Sequence, residues 1–128
     1  MTVIRVDGVP APQGSKTRTR YGMFESSKRV KPWREAVVAA VKNMEPIAAP
    51  YAVTVHFFIP RPKKTDAAYP VAPAIGDVDK MLRATLDGLT QGGLIADDRF
   101  VIVAHASKQW AGADGPGAVI AVKQVAHG

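Results

Sequence analysis

The run of residues 51–59, YAVTVHFFI, constrains the fold most strongly. Its β-branched and aromatic side chains favour an extended conformation, and Pro60 ends the run because proline cannot donate to a strand ladder. A strand of this kind needs partner strands and a covered face to be stable. The chain is therefore expected to fold around a β-sheet, to which this segment contributes one strand.

Hydrophobic periodicity assigns the remaining elements. The strands are expected at residues 2–9, 51–59, 99–110 and 118–125, and the helices at residues 31–46 and about 78–89. The apolar stripes that would pack the two helices are Trp33, Val37, Val41 and Met44 in the first and Val78, Leu82, Leu86 and Leu89 in the second. The last two strands flank the turn-rich segment AGADGPG and are expected to pair as a hairpin. The prediction is one α+β domain over residues 1–128, with a mixed β-sheet and two main helices.

Composition excludes several classes of protein. The chain has no cysteine, so disulfides and thiolate metal sites are ruled out, and its three histidines are too far apart in sequence to indicate a zinc site. No apolar run has the length of a membrane span, and the beginning MTVIRVDG lacks the pattern of a signal peptide. We expect a cytoplasmic protein with no membrane partner.

Positive charge is concentrated at the beginning of the chain. Residues 1–34 contain eight Lys or Arg residues against two acidic ones, which accounts for the whole formal charge of +6. Such a segment suggests a polyanion such as nucleic acid as partner, although a merely solvated surface explains the charge equally well. In the stretch KTRTR, Lys16, Arg18 and Arg20 would point to one side if the segment is extended.

The acidic residues gather elsewhere, in the segment 75–98, IGDVDKMLRATLDGLTQGGLIADD. Asp77 and Asp79 lie at the start of the second helix, and a short turn after that helix can return Asp97 or Asp98 to them. Three carboxylates without histidine or cysteine describe a site for Mg²⁺, with Mn²⁺ as the other possible ion. The alternatives stay open: Asp77 can cap the helix, Arg83 can pair with Asp79 or Asp87, and adjacent aspartates are common in turns.

The segment GDVDKMLRATLDGLTQGGLIADDRFV resembles the signature of the RusA family of crossover-junction endodeoxyribonucleases. That signature is D-[LIV]-D-N-[LM]-x-K, then a helix with x-x-D-x-L, then D-D-x-x-[VI]. The resemblance implies a RusA-like nuclease domain of bacterial or phage origin. It also implies a metal-dependent homodimer that recognises four-way (Holliday) DNA junctions and nicks two strands symmetrically.

The resemblance also implies roles for individual residues. Asp77, Asp79 and Asp98 match the metal-binding carboxylates, and Asp87 matches a helix aspartate that we interpret as structural. The asparagine of the family is Lys80 here and its functional lysine is Arg83, so either cation can serve the reacting phosphate. The catalytic set is therefore Asp77, Asp79, Asp98, Lys80 and Arg83. The expected products carry a 5′-phosphate and a 3′-hydroxyl.

The basic side chains are the expected contacts to the DNA backbone. They are Lys16, Arg18, Arg20, Lys28, Arg29, Lys31, Lys63, Lys64 and Lys108. Backbone contacts of this kind make binding salt-dependent and largely independent of base sequence. Two alternatives remain, namely a non-catalytic module that binds branched DNA with the same fold, and a Mg²⁺-dependent enzyme acting on nucleotides.

Overall fold

The computed structural model describes residues 1–14, 16–19, 22–25 and 28–126, of which residues 16–19 and 22–25 are described through their backbone only. Within these residues the fold consists of six strands, two α-helices and one short 3₁₀ helix. The strands are β1 (Thr2–Asp7), β2 (Lys16–Thr19), β3 (Gly22–Glu25), β4 (Tyr51–Ile59), β5 (Val101–Trp110) and β6 (Gly117–Gln124). The helices are α1 (Val30–Val41), α2 (Val78–Gln91) and the 3₁₀ helix Asp98–Phe100.

The main sheet has four strands in the order β1-β6-β4-β5. Strand β6 pairs antiparallel with both β1 and β4, whereas β5 pairs with β4 in parallel. The sheet is therefore mixed, and with two helices beside it the predicted α+β class is confirmed. Strands β2 and β3 form a separate two-stranded antiparallel sheet.

The predicted hairpin between the last two strands is wrong. Strand β6 does not pair with β5 but lies between β1 and β4, with Ile120 opposite Ile4 on one side and Val55 on the other. The physical reason is the crossover through α2, which makes β5 parallel to β4 and leaves it at the edge of the sheet. A central position buries the apolar side of β6 better than a hairpin at that edge would.

One face of the sheet and the two helices enclose the core. Alternate residues of β4, from Tyr51 to Ile59, are buried, as the period of a strand requires. From α1, Trp33 packs edge-on against Phe57 with ring centroids 6.3 Å apart. The Trp33 indole N–H donates to Thr85 Oγ1 at 3.1 Å, and that hydroxyl donates to the Met81 carbonyl at 2.8 Å. The buried polar groups of Trp33 and Thr85 are thus hydrogen-bonded, as burial demands.

The helices differ from the expectation in detail. Helix α1 ends at Val41, five residues before Pro46, and a turn follows in which the Met44 N–H donates to the Val41 carbonyl. In α2 the most buried positions are Met81, Ala84, Thr85, Gly88 and Leu89. Of the predicted stripe only Leu89 is fully buried, while Val78, Leu82 and Leu86 pack at the margin of the core.

Small residues on α2 explain this rotation of the buried face. A Cβ atom at Gly88 would lie 2.8 Å from both Cβ and Cγ1 of Val37, so glycine is what lets the two helices approach. The dispersion attraction between closely packed helices then compensates for the smaller apolar area of these residues. No helix in the described parts of the chain is long and apolar enough to span a bilayer.

Candidate active site

The long connection between β4 and α2 carries the first candidate carboxylate, and side chains from elsewhere hold it in place. Three of its backbone carbonyls accept hydrogen bonds from side chains. The Trp110 indole N–H donates to Ala67 O at 2.9 Å, Arg29 Nη2 to Ala74 O at 2.8 Å and Lys108 Nζ to Gly76 O at 2.8 Å. Because the last of these carbonyls directly precedes Asp77, strand β5 fixes the position of that aspartate through Lys108.

Gly76 lets the connection enter the helix. Its φ of +96° lies in the region that residues with a Cβ atom rarely adopt. A Cβ atom there would also overlap Cγ of Pro12 and lie 3.0 Å from the Cβ of Pro12. The neighbouring Gln13 N–H donates to the Lys80 carbonyl at 3.0 Å. The segment 12–14 is thereby packed against the beginning of α2.

Asp77 does not cap the helix that it precedes. It occupies the N-cap position with extended backbone angles, but its side chain makes no capping bond to a backbone N–H. Its carboxylate is 68% exposed, and Lys80 Nζ lies 3.8 Å from Oδ2. Capping of α2 therefore does not explain Asp77, whose carboxylate oxygens are exposed to solvent beside the Lys80 ammonium group.

Asp79 and Arg83 are both exposed on the next turns of α2. The ion pairs formed within the described chain include neither Asp79–Arg83 nor Asp87–Arg83. Surface pairing along the helix therefore does not account for Asp79 either. Both side chains stay available for a ligand.

The turn after α2 brings the adjacent aspartates back to that helix. Leu94 and Ile95 are fully buried, and the Leu94 N–H donates to the Leu89 carbonyl at 3.0 Å. The Ala96 N–H donates to the Tyr51 hydroxyl at 3.0 Å, which ties the segment to β4. Burial of two large aliphatic side chains and a hydrogen bond thus determine where residues 97 and 98 lie.

The two aspartates differ in their bonding. Asp97 caps the 3₁₀ helix, because its Oδ1 accepts from the Arg99 N–H at 2.9 Å. That backbone bond, together with a bond from Asp98 and the charge of Arg99, lowers the pKa of Asp97. Partial burial raises the pKa of Asp98, as do the bond with Asp97 and the negative charges of Asp97 and Asp87. Asp97 thus has a structural role in this turn, whereas the ionised carboxylate of Asp98 is disfavoured by its negative neighbours.

The carboxylates do not form a closed cage. Asp77 and Asp79 lie at the beginning of α2. Asp98 is close enough to Asp87, about two helical turns further along α2, for the charge of Asp87 to raise its pKa. Within the described residues, no group of three His, Cys, Asp or Glu side chains is arranged so that it could hold a metal ion. The ligand set Asp77, Asp79 and Asp98 stays a prediction.

The predicted cations fall into three groups. Lys28, Arg29 and Lys80 line a cavity of about 510 Å³ next to Asp77, and Lys108 lies behind it. Lys31 in α1 and Lys63 and Lys64 after β4 are exposed at other places. Lys16 and Arg18 belong to β2, whose side chains are not described, and Arg20 lies outside the described residues.

Two contributions to the site were missed by sequence reasoning. Pro12 and Gln13 close one side of the cavity, although they are about 65 residues away from Asp77 in the chain. Lys108 was expected to contact DNA, yet it bonds the Gly76 carbonyl within the protein. The signal in the sequence was its spacing of two residues from Ala106 and Trp110, which share its side of β5 and pack against the core.

A family model matches most of the chain. It is the model described as Endodeoxyribonuclease RusA, and it matches residues 7–123 of the 128. The match includes every candidate site residue, from the segment at 12–14 to Lys108. No curated protein matches the chain.

Proposed function

Since the chain belongs to the RusA endodeoxyribonuclease family, we propose that it resolves four-way DNA junctions. The proposed activity is Mg²⁺-dependent, selects DNA by its branched structure and nicks two strands symmetrically as a homodimer. The observation that carries this proposal is the family match over residues 7–123. A second support is that, among the described residues, Asp77, Asp79 and Asp98 neither cap a helix nor pair with Arg83.

We propose Asp77, Asp79 and Asp98 as the metal ligands. Carboxylate oxygens are the donors that Mg²⁺ and Mn²⁺ prefer. The ion would supply charge stabilisation and activation of the attacking water. An open arrangement suits Mg²⁺ in particular, because this ion is usually bound by one or two carboxylates with waters and substrate phosphates rather than by a complete protein cage. The DNA phosphate would complete the set.

Lys80 is the cation that we assign to the reacting phosphate. Its ammonium group lies 3.8 Å from Asp77 and lines the cavity beside it, so a phosphate held at Asp77 would lie within reach of the same ammonium group. A cation placed in advance stabilises the negative charge that grows on the phosphate oxygens during attack. Arg83 lies on the exposed side of α2 and is assigned a backbone contact, for which its planar guanidinium is well suited.

Lys108 is proposed as a positioning residue rather than as a direct contact to DNA. Its bond to the Gly76 carbonyl keeps Asp77 at a fixed place relative to the sheet. Placement matters because small displacements of a catalytic group reduce the rate strongly. The exposed cations Lys28, Arg29, Lys31, Lys63 and Lys64 are assigned to the DNA backbone.

The homodimer has a physical justification in the substrate. A four-way junction presents two equivalent strands, and a two-fold protein would present two equivalent sites. Sedimentation of the free protein and of its junction complex would give the stoichiometry. Two chains per junction are expected, and one chain per junction would contradict the dimer.

Cleavage of a labelled four-way junction tests the proposal. The reaction is run with Mg²⁺, with EDTA, and with the Asp79→Asn variant, and a linear duplex of the same sequence is the control. We expect paired nicks that require both the ion and Asp79, and no cleavage of the duplex. Tight junction binding without nicks under all conditions would instead establish the non-catalytic branched-DNA module.

A further inference from the structure

The charged side chains that line the cavity next to Asp77 are mainly cationic. Its volume is about 510 Å³, within the range of roughly 300–1,000 Å³ typical of ligand sites, and its walls come from residues 12–14, 28–29 and 73–80. Three cationic side chains, Lys28, Arg29 and Lys80, face it against the single carboxylate of Asp77. The excess of positive charge selects an anion as its occupant.

The walls of the cavity are held by bonds that do not depend on a ligand. Arg29 is anchored because its Nη2 donates to the Ala74 carbonyl at 2.8 Å, and its other N–H groups make no hydrogen bond within the described residues. The Gln13 N–H donates to the Lys80 carbonyl, and Pro12 packs on Gly76. A pre-organised wall reduces the ordering entropy that binding has to offset.

The cavity adjoins the beginning of α2, since Asp77 and Lys80 line it. Because the Asp77 side chain makes no capping bond, no side chain of that residue occupies the first N–H groups of α2. Free N–H groups at the start of a helix of this length are favourable to phosphate. The cations of the walls and the helix start therefore favour the same class of group.

We propose that this cavity binds a phosphate of the cut DNA strand that flanks the scissile phosphate. The inference rests on the proposed function, since it takes Asp77 as the place of cleavage. Lys80 lies between the two positions, 3.8 Å from Asp77 and on the cavity wall, and so contacts both phosphates. The cavity thereby sets how far the strand advances across the carboxylates and which bond is cut.

Neutralisation of single phosphates tests this inference. A fixed four-way junction is prepared with one methylphosphonate at a time around the crossover, and its binding to the protein is measured in EDTA. The wild-type protein is expected to lose roughly ten- to hundredfold in affinity at one particular position, as for one charge-assisted contact. Arg29→Met is expected to bind the unmodified junction less tightly and to show no further loss when that position is neutralised.

Two further variants keep the result interpretable. Lys28→Met removes a cation of the same cavity without removing the bond to Ala74, and it should lose its sensitivity at the same position. Lys42→Met removes one exposed charge at the end of α1 and should keep the full wild-type loss. The inference would be overturned if, at every methylphosphonate position, Arg29→Met and Lys28→Met lost affinity by the same factor as the wild-type protein. Because binding is measured without metal, the coupling can be present even if the junction is never cut, and failure of the proposed function is then seen separately.

Discussion

Gly76→Ala is the substitution from which the structure predicts the largest local effect near the site. Two costs add. A residue with a Cβ atom at φ +96° costs about 1–2 kcal/mol, and the overlap of that Cβ atom with Pro12 adds about 1–3 kcal/mol of overpacking. The variant should lose about 2–5 kcal/mol of unfolding free energy. Junction cleavage should fall as well, because Gly76 directly precedes Asp77.

Gly93→Ala is the matched control. Gly93 has a φ of +83°, and no atom lies within 4 Å of a Cβ atom built there. Its substitution carries the backbone cost alone, so the difference between the two variants isolates the contact with Pro12. Urea unfolding measures both free energies.

The double variant Pro12→Ala/Gly76→Ala completes the test. Removal of the Pro12 ring takes away the atoms that overlap, so the loss in the double variant should be smaller than the sum of the two single losses. Equal losses for Gly76→Ala and Gly93→Ala, or strict additivity in the double variant, would refute the reasoning about this contact.

Three other predictions concern the charged groups. Lys108→Met should lower the cleavage rate more than junction affinity, whereas the exposed Lys123→Met should change neither; equal loss of affinity in both would contradict a positioning role. Asp98→Asn should be more stable than wild type at neutral pH. The pKa of Asp98 is raised in the folded state, which means that its ionised carboxylate opposes folding above that pKa. The gain in stability should therefore vanish as the pH falls below the ordinary pKa of 3.8. Asp97→Ala should be less stable at neutral pH, since its lowered pKa reports stabilisation that is lost as the pH falls through that pKa; unfolding curves at several pH values check both signs.

The sequence predicted the elements that local patterns determine. The alternation in residues 51–59 and the stripe through Trp33, Val37 and Val41 correspond to β4 and to the buried face of α1. Local patterns could not predict the order of the strands. The position of β6 between β1 and β4 depends on the crossover through α2 rather than on any property of the final segment. A turn-rich link between two strands is equally compatible with both pairings.

In the candidate site, too, some features were predicted from the sequence and others were not. Spacing pointed to the carboxylates near α2 as candidates, and the choice of Asp98 over Asp97 as a metal ligand stays a prediction; in the structure Asp97 accepts a capping bond from the Arg99 N–H. The family resemblance, confirmed by the match to residues 7–123, supplied that choice. The bond from Lys108 to Gly76 and the packing of Pro12 join segments far apart in the chain, and such contacts leave no local pattern.

Binding of Mn²⁺ to the protein–junction complex tests the central claim most directly. Electron paramagnetic resonance counts the bound ions in wild type and in Asp77→Asn, Asp79→Asn, Asp98→Asn and Asp97→Asn. The account predicts that each of the first three substitutions weakens the tight site while Asp97→Asn retains it. Wild-type Mn²⁺ binding in Asp98→Asn, with loss in Asp77→Asn and Asp79→Asn, would show that the carboxylates do not share an ion and would contradict the account.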